Sequence, residues 1–426
     1  MAGTQPESRK HHFVPRSLLR YFRPTDDVDY LYAFDKRSGR VFRTSLMNAG
    51  SENGFNTYKD GEDIINFEQD FDEVDALLAN RLREIHSTRN VSLLSAEQRR
   101  DWADLAAAQL TRTPIVRSTM TVLLEDLRNQ VEEKFGTKLE IQIPSENDAR
   151  RSARGLFKDR EDARQALIAK DIVLFEALGD TPFRISDRPV TLQSTLPFGD
   201  TGLTSHGVAV FMPLGQRLML GLLCPSIGRK LNKFSLEKLG LPDEDARARL
   251  IALRDGLATG TAVDLDEEMV KRHNDQQIAG STRFVYGPTN NFEDAQTLVS
   301  AHPEVREVRS SINLGELGNG PGPSPNMPPG SWLVLFGRSE AHMLQVRDVS
   351  DTEPLEVTVQ SMAAFAAVLK DGPFSEMRYY VDKSCRRSMR DVRLVQLRAA
   401  GGRRVQVRHA NPGLDTLMKS IGSRSK

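Results

Sequence analysis

Cysteine is nearly absent. Cys224 and Cys385 are the only two in 426 residues, which excludes a disulfide framework and a thiolate zinc site and fits a reducing compartment. Net charge is missing as well: with 58 basic against 58 acidic side chains, affinity for nucleic acid has to come from a local patch and not from a basic body. No apolar run is long enough to span a bilayer. The greasiest stretch, 208–227, is interrupted by Pro213, Gln216, Arg217 and Pro225, so it reads as two buried strands. Residues 1–8 carry no apolar core of the secretory kind, and the expected location is the cytoplasm, without membrane contact. No internal repeat and no complete catalytic signature is found; Ser186 lacks a nucleophile elbow. What is present is ordinary globular material, 39% hydrophobic and 27% charged, at a length that favours more than one domain.

Periodicity supplies a coarse map. Residues 31–34 and 40–44 flank a Gly-containing connection and read as a β-hairpin. Apolar positions from Ile64 to Ile85 recur at helical spacing and predict one amphipathic helix over about 64–86. Ser95-Ala96-Glu97-Gln98 has the form of a capping box that opens a second helix, restarted at Pro114. Helical pattern resumes to about Phe135 and, after Pro144-Ser145, runs to about Leu178. Short apolar runs at 183–187, 190–192, 207–211 and 217–223 then read as a strand meander between Pro/Gly turns. Helices return over about 236–258 and 265–279, before a last strand at 283–286. The Gly/Pro-rich stretch 315–330 reads as a linker, and a smaller unit follows. The expected fold class is α+β: a large helix-rich domain with an antiparallel strand meander over 1–290, a connecting segment and linker over 291–330, a small basic α+β domain over 331–409, and a tail over 410–426.

The opening carries the strongest chemical signal. His11 and His12 stand side by side among cations ahead of Phe13-Val14-Pro15, and imidazole suits proton transfer or metal ligation near neutral pH. The series His11-His12-x-Val14-Pro15, Leu19-Arg20-x-Phe22, Glu68, Gln109-x-x-Arg112-x-Pro114, Ser186-Asp187-x-Pro189, Pro213-Leu214 and Asn274 ahead of Arg283-Phe284-Val285-Tyr286 resembles, in this order, the bacterial family catalogued as domain of unknown function four-two-three-eight. The resemblance covers roughly residues 9–290. It implies no settled activity, and the C-terminal unit lies outside it.

On the predicted helix Glu68, Asp72 and Asp75 fall at i, i+4 and i+7, one stripe that the histidines can meet if the hairpin folds onto it. Two imidazoles with carboxylates make a divalent-metal site, with His11, Glu68, Asp75 and Asp187 as ligand candidates. The competing reading makes the carboxylates a solvated flank and His11 a cap for the helix near Pro15. Gln109 and Arg112 lie one turn apart. Arg112 is read either as a bidentate anion clamp or as a buried guanidinium that locks two helices through Glu68 or Asp75. Asp187 stands at a strand end, as a ligand or base or as an Asx-turn cap, and Asn274 sits mid-helix, where its poor propensity implies a side-chain hydrogen bond.

A His-His segment followed by a hairpin also opens small His-Asn-His metal nucleases, but the next histidine after His12 is His86, too late for that fold. The expectation is therefore a divalent-metal-assisted phosphodiester hydrolase with His12 as base and Arg112, Gln109 and Asn274 as accessory groups. The alternative is a non-catalytic module that recognises nucleic acid or protein, its polar motif residues forming a structural network. Spatial separation of Glu68, Asp187 and the histidines favours the second. Nucleic acid is the expected partner of a patch over Arg386–Arg408, where seven arginines and no lysine occur from Arg387 onward.

Overall fold

The computed structural model describes residues 10–135, 140–194, 202–204, 207–233 and 244–307, together with seven short strands beyond residue 330. Two compact units divide the chain, one of residues 1–193 and 209–312, the other of residues 194–208 and 313–426, which carries those seven strands.

The first unit is α+β. Strand β1 (Lys10–His12) leads through a short helix, α1 (Arg16–Leu19), to the hairpin β2 (Tyr30–Asp35) and β3 (Arg40–Ser45), as the sequence predicts. Three short strands follow: β4 (Ser51–Asn53), β5 (Thr57–Asp60) and β6 (Asp63–Asn66). The helix predicted from residue 64 is displaced: Glu68 lies in a 3-10 turn, and α2 runs over Asp72–Thr88. The apolar spacing of 64–71 reflects a hairpin and aromatic anchors, with Phe67 and Phe71 packed against Tyr58, Ala108 and Phe157. Helix α3 (Ala96–Thr111) begins at the predicted capping box of Ser95 and Gln98, α4 (Pro114–Phe135) restarts at the proline, and α5 (Glu146–Lys158) and α6 (Glu161–Ile168) follow. The alanines of α3 allow α6 to pack closely on it.

The next element departs from expectation. Asp171–Ala177 is not a helix end but strand β7. Its core, Ile172-Val173-Leu174-Phe175, is an unbroken apolar run buried on both faces, where β-branched and aromatic side chains pack well on a pleated surface. Then come β8 (Ile185–Ser186), β9 (Thr191–Ser194), β10 (Val208–Pro213), β11 (Leu218–Leu223), α7 (Pro225–Lys233), α8 (Glu244–Thr259), β12 (Val263–Leu265), α9 (Glu267–Gly280), β13 (Phe284–Gly287) and α10 (Glu293–Ala301).

These strands do not form one meander. A five-stranded sheet has the order β12-β7-β11-β10-β9, with β12 parallel to β7, and a four-stranded sheet has the order β3-β2-β13-β8. The second sheet joins the N-terminal hairpin to the chain's later half, pairing Tyr286 with Ala33 and with Ile185. Helix α10, placed by the sequence reading in a connecting segment, packs Phe292, Ala295 and Val299 onto Phe34, Ile278 and Val285.

In the second unit, strands β14 (Ser331–Phe336) and β15 (Ala341–Val346) pair antiparallel, β16 (Val357–Val359) runs parallel to β20 (Val407–His409), and β17 (Phe374–Tyr379), β18 (Val395–Ala399) and β19 (Arg404–Val405) form a three-stranded sheet. Arg398 registers with Glu376 on one side and Arg404 on the other. The predicted helix near 362–369, and Arg386, Arg387, Arg390, Arg393 and Arg403 of the basic patch, lie outside the described residues.

Candidate functional site

The motif side chains hold main chain. Phe13 and Val14 donate their amides to the Gly50 carbonyl at 2.9 and 3.1 Å, which fixes the segment after β1 against the loop leading to β4. Gly50 has φ +57, and a Cβ there would stand 2.7 Å from that of Val14, so the close approach requires glycine. Around this clamp the polar residues close in. Glu68 accepts the His12 amide at 3.1 Å and, through its other oxygen, the Asn56 side-chain amide. Arg112 donates to the His12 carbonyl at 2.7 Å while its guanidinium pairs with Asp75 at 2.5 Å and lies over the Phe71 ring. Gln109 donates to the Phe13 carbonyl at 2.7 Å. Asp72 sits in the first turn of α2.

The two histidines are inside this frame. His11 Nδ1 accepts the Asn56 amide at 2.8 Å, and the ring is buried. His12 Nε2 lies 3.4 Å from the Leu46 carbonyl. Burial pushes the His12 pKa down, with the Leu46 carbonyl opposing and the Arg16 and Arg112 charges adding to the fall, so near neutral pH the ring is uncharged.

Asp187 and Asn274 belong to a second network. Asp187 accepts three successive amides, from Thr282, Arg283 and Phe284, at 2.6, 2.7 and 2.8 Å. Burial raises its pKa, opposed by these donors and by the Lys36 ammonium. Asn274 bridges the Arg184 amide and the Pro182 carbonyl at 2.8 and 2.9 Å. One turn on, Gln277 accepts from the Ser186 amide and hydroxyl and donates to the Pro189 carbonyl. Lys36, fully buried, donates to the Ile278, Ala279 and Ser281 carbonyls at the end of α9; burial lowers its pKa to about 8. Tyr286, on β13 next to the amides that Asp187 holds, reaches the first network: its hydroxyl accepts the Gly50 amide at 3.0 Å.

The expected metal site is therefore not assembled. Glu68, Asp75 and Asp187 each have other partners, and among the described residues no group of three or more His, Cys, Asp or Glu is placed to hold an ion. The residues present do not fit a divalent metal with His11 as a ligand: its Nδ1 lone pair is taken by an amide, which leaves the ring proton on Nε2. Of the two readings of Arg112, the helix lock is observed, through Asp75. Asp187 likewise acts on backbone, across strands and not within its own turn.

Sequence reasoning missed Asn56, Gly50, Lys36 and Gln277. Gln277 was within reach, three positions after Asn274 on the buried stripe of α9; Lys36, in a hairpin turn, carries no such signal.

Two grooves open at the surface. A groove of about 670 Å³ is lined by Phe42, Arg43, Thr44, Ser45 and Phe284, among others, and a cleft of about 350 Å³ by Phe55, Arg117 and Arg150, flanked by Glu52 and Glu146. Arg117 donates to the Asn56 side chain at 2.6 Å and stacks on Phe55, and burial pushes its pKa down to about 9.

The chain matches the pattern of a known family over residues 10–291, more than half its length. The chain belongs to the family described as Protein of unknown function (DUF4238). No curated protein and no solved structure matches it. The DUF4238 match ends between β13 and α10, so it takes in both polar networks and leaves out the helix that completes the core beneath β13.

Proposed function

We propose that this DUF4238 domain is a non-catalytic recognition module, its polar motif an internal scaffold that holds the segment 10–15 and the strand ends around Ser186 and Phe284. One observation carries this reading: Glu68, Gln109, Arg112, Asp187 and Asn274 each hold at least one backbone amide or carbonyl. A catalytic acid, base or anion clamp needs free valences aimed at a space where substrate sits. The competing hydrolase reading, with His12 as base and Arg112 as anion clamp, needs these groups to leave their main-chain partners. Neither of the two grooves described above is lined by His11 or His12.

The test is a metal analysis of the purified full chain together with a phosphodiesterase and nuclease screen, with and without chelator, on the unaltered protein and His12→Ala. The expected result is no bound divalent ion and no turnover. Chelator-sensitive cleavage lost in His12→Ala overturns the proposal in favour of the hydrolase.

A further inference from the structure

The free edge of the four-stranded sheet is unusual in being left open. β3 ends the order β3-β2-β13-β8, and among the described residues it pairs only with β2, in unbroken register from Arg40 opposite Asp35 to Ser45 opposite Tyr30. In such a pair every second residue of the outer strand turns its N–H and C=O away from its neighbour. β3 has six residues and contains no proline and no bulge, so its outward groups form a continuous template.

Side chains make that edge into a site. Alternation sends Phe42 and Thr44 to one face of the strand and Arg43 and Ser45 to the other, yet all four line the same groove of about 670 Å³. The groove runs from β3 over the Phe42 face of the sheet to Phe284 and Tyr286, two strands in, so a chain added at the edge lies along its rim. Phe42 is 40% exposed and meets Phe284 edge-to-face at 6.1 Å, which gives an apolar wall. Charge sets the partner. Arg43 lies over the Tyr30 ring at 4.8 Å, and Arg40 reaches only the Ser38 hydroxyl at 3.4 Å. Neither has a carboxylate partner among the described residues. Asp35, opposite Arg40, is occupied by Arg283 at 2.8 Å, and no acidic residue lines the groove.

We propose that β3 is a docking edge for an extended acidic peptide, which adds as a fifth strand with apolar side chains on the Phe42 face and carboxylates on the other, against Arg43. This rests on the recognition reading above and names its partner class. A stacking platform for single-stranded nucleic acid is the contrasting assignment. It would use the aromatic face of Phe42 and Phe284 and leave the outward N–H and C=O groups of β3 without partners.

The test measures fluorescence anisotropy of the full chain with three probes: an octapeptide of alternating glutamate and valine, its lysine–valine counterpart, and an oligothymidylate. The acidic peptide is expected to bind, to weaken at least tenfold with Arg43→Glu and with Phe42→Ser, and to lose binding when prolines replace its alternate residues. Arg43→Glu is also expected to gain affinity for the lysine peptide. Both variants should unfold at the wild-type temperature, since both side chains are exposed. No binding of the acidic peptide, equal binding of both peptides, or binding unaffected by either variant overturns the proposal. So does oligothymidylate binding lost in Phe42→Ser. None of these outcomes bears on metal-dependent turnover, so failure here is distinct from failure of the recognition reading itself.

Discussion

At Arg112 a buried guanidinium satisfies a main-chain carbonyl and a carboxylate at once, and its loss strands both. Asp75 keeps 34% side-chain exposure, which softens the penalty, so Arg112→Ala is expected to cost about 3 kcal/mol, the lower end for a broken buried pair. Gln109→Ala, which frees only the Phe13 carbonyl, is expected to cost about 1–2 kcal/mol. Urea denaturation checks both; values under about 0.5 kcal/mol for both would remove the scaffold role. His273 gives the pH counterpart. Its ring is enclosed by Phe175, Phe183 and Phe211, its Nδ1 has no partner, and burial lowers its pKa to about 4. Above the unfolded value near 6.5 both states are neutral and stability is intact. As pH falls from there towards 4, the unfolded chain takes up a proton that the folded one refuses, costing about 3 kcal/mol across the window. His12 and His86, also depressed by burial, act with the same sign. His273→Leu should flatten the acid limb of a stability–pH curve without abolishing it; an unchanged slope would show that this ring does not stay neutral. That Glu68, Gln109, Arg112, Asp187 and Asn274 would need polar partners was legible in the sequence, because a buried polar side chain must be satisfied. What they bind was not, since their partners are backbone atoms that no residue pattern records.

Between elements, α9 is the tether for irregular chain. Asn274 and Gln277 lie one turn apart on its buried face and hold the stretch from Pro182 to Pro189, whose own pairing in β8 is two residues long. Gln277→Ala leaves the Ser186 amide and the Pro189 carbonyl without partners, with an expected cost of about 2–3 kcal/mol. Hydrogen exchange at the Ser186 amide should accelerate more than that in β7, whose ladder is independent of the tether; uniform acceleration would mean global destabilisation instead. Element type was legible where local chemistry decides it, as at the capping box of Ser95 and the hairpin 30–45. It was not legible at 64–71 and 171–177. Short apolar runs there satisfy helix and strand spacing alike, and only the neighbours, Phe157 for the first and β11 for the second, select the outcome.

Across the whole family domain, the hairpin that opens the chain and the strand near its end share one sheet, so the first unit closes only when distant segments meet. Pairing of β2 with β13 joins residues some 250 positions apart, which predicts slow, topology-limited folding. The same closure fixes where the domain must end. The family match stops at residue 291, but Phe292, Ala295 and Val299 lie beyond it and cover Phe34, Ile278 and Val285, all almost fully buried. A chain ended at residue 291 exposes that face of the sheet and forfeits roughly 5 kcal/mol of apolar burial, an upper figure because unfolded chains already bury some of it. A chain ended at residue 307 keeps α10 and the turn after it. The expectation is that the chain ended at residue 307 unfolds cooperatively with protected amides in β2 and β13, while the chain ended at residue 291 is partly unfolded or aggregates through its uncovered sheet. Equal thermal stability of the two would show that α10 is an accessory to this core and not part of it.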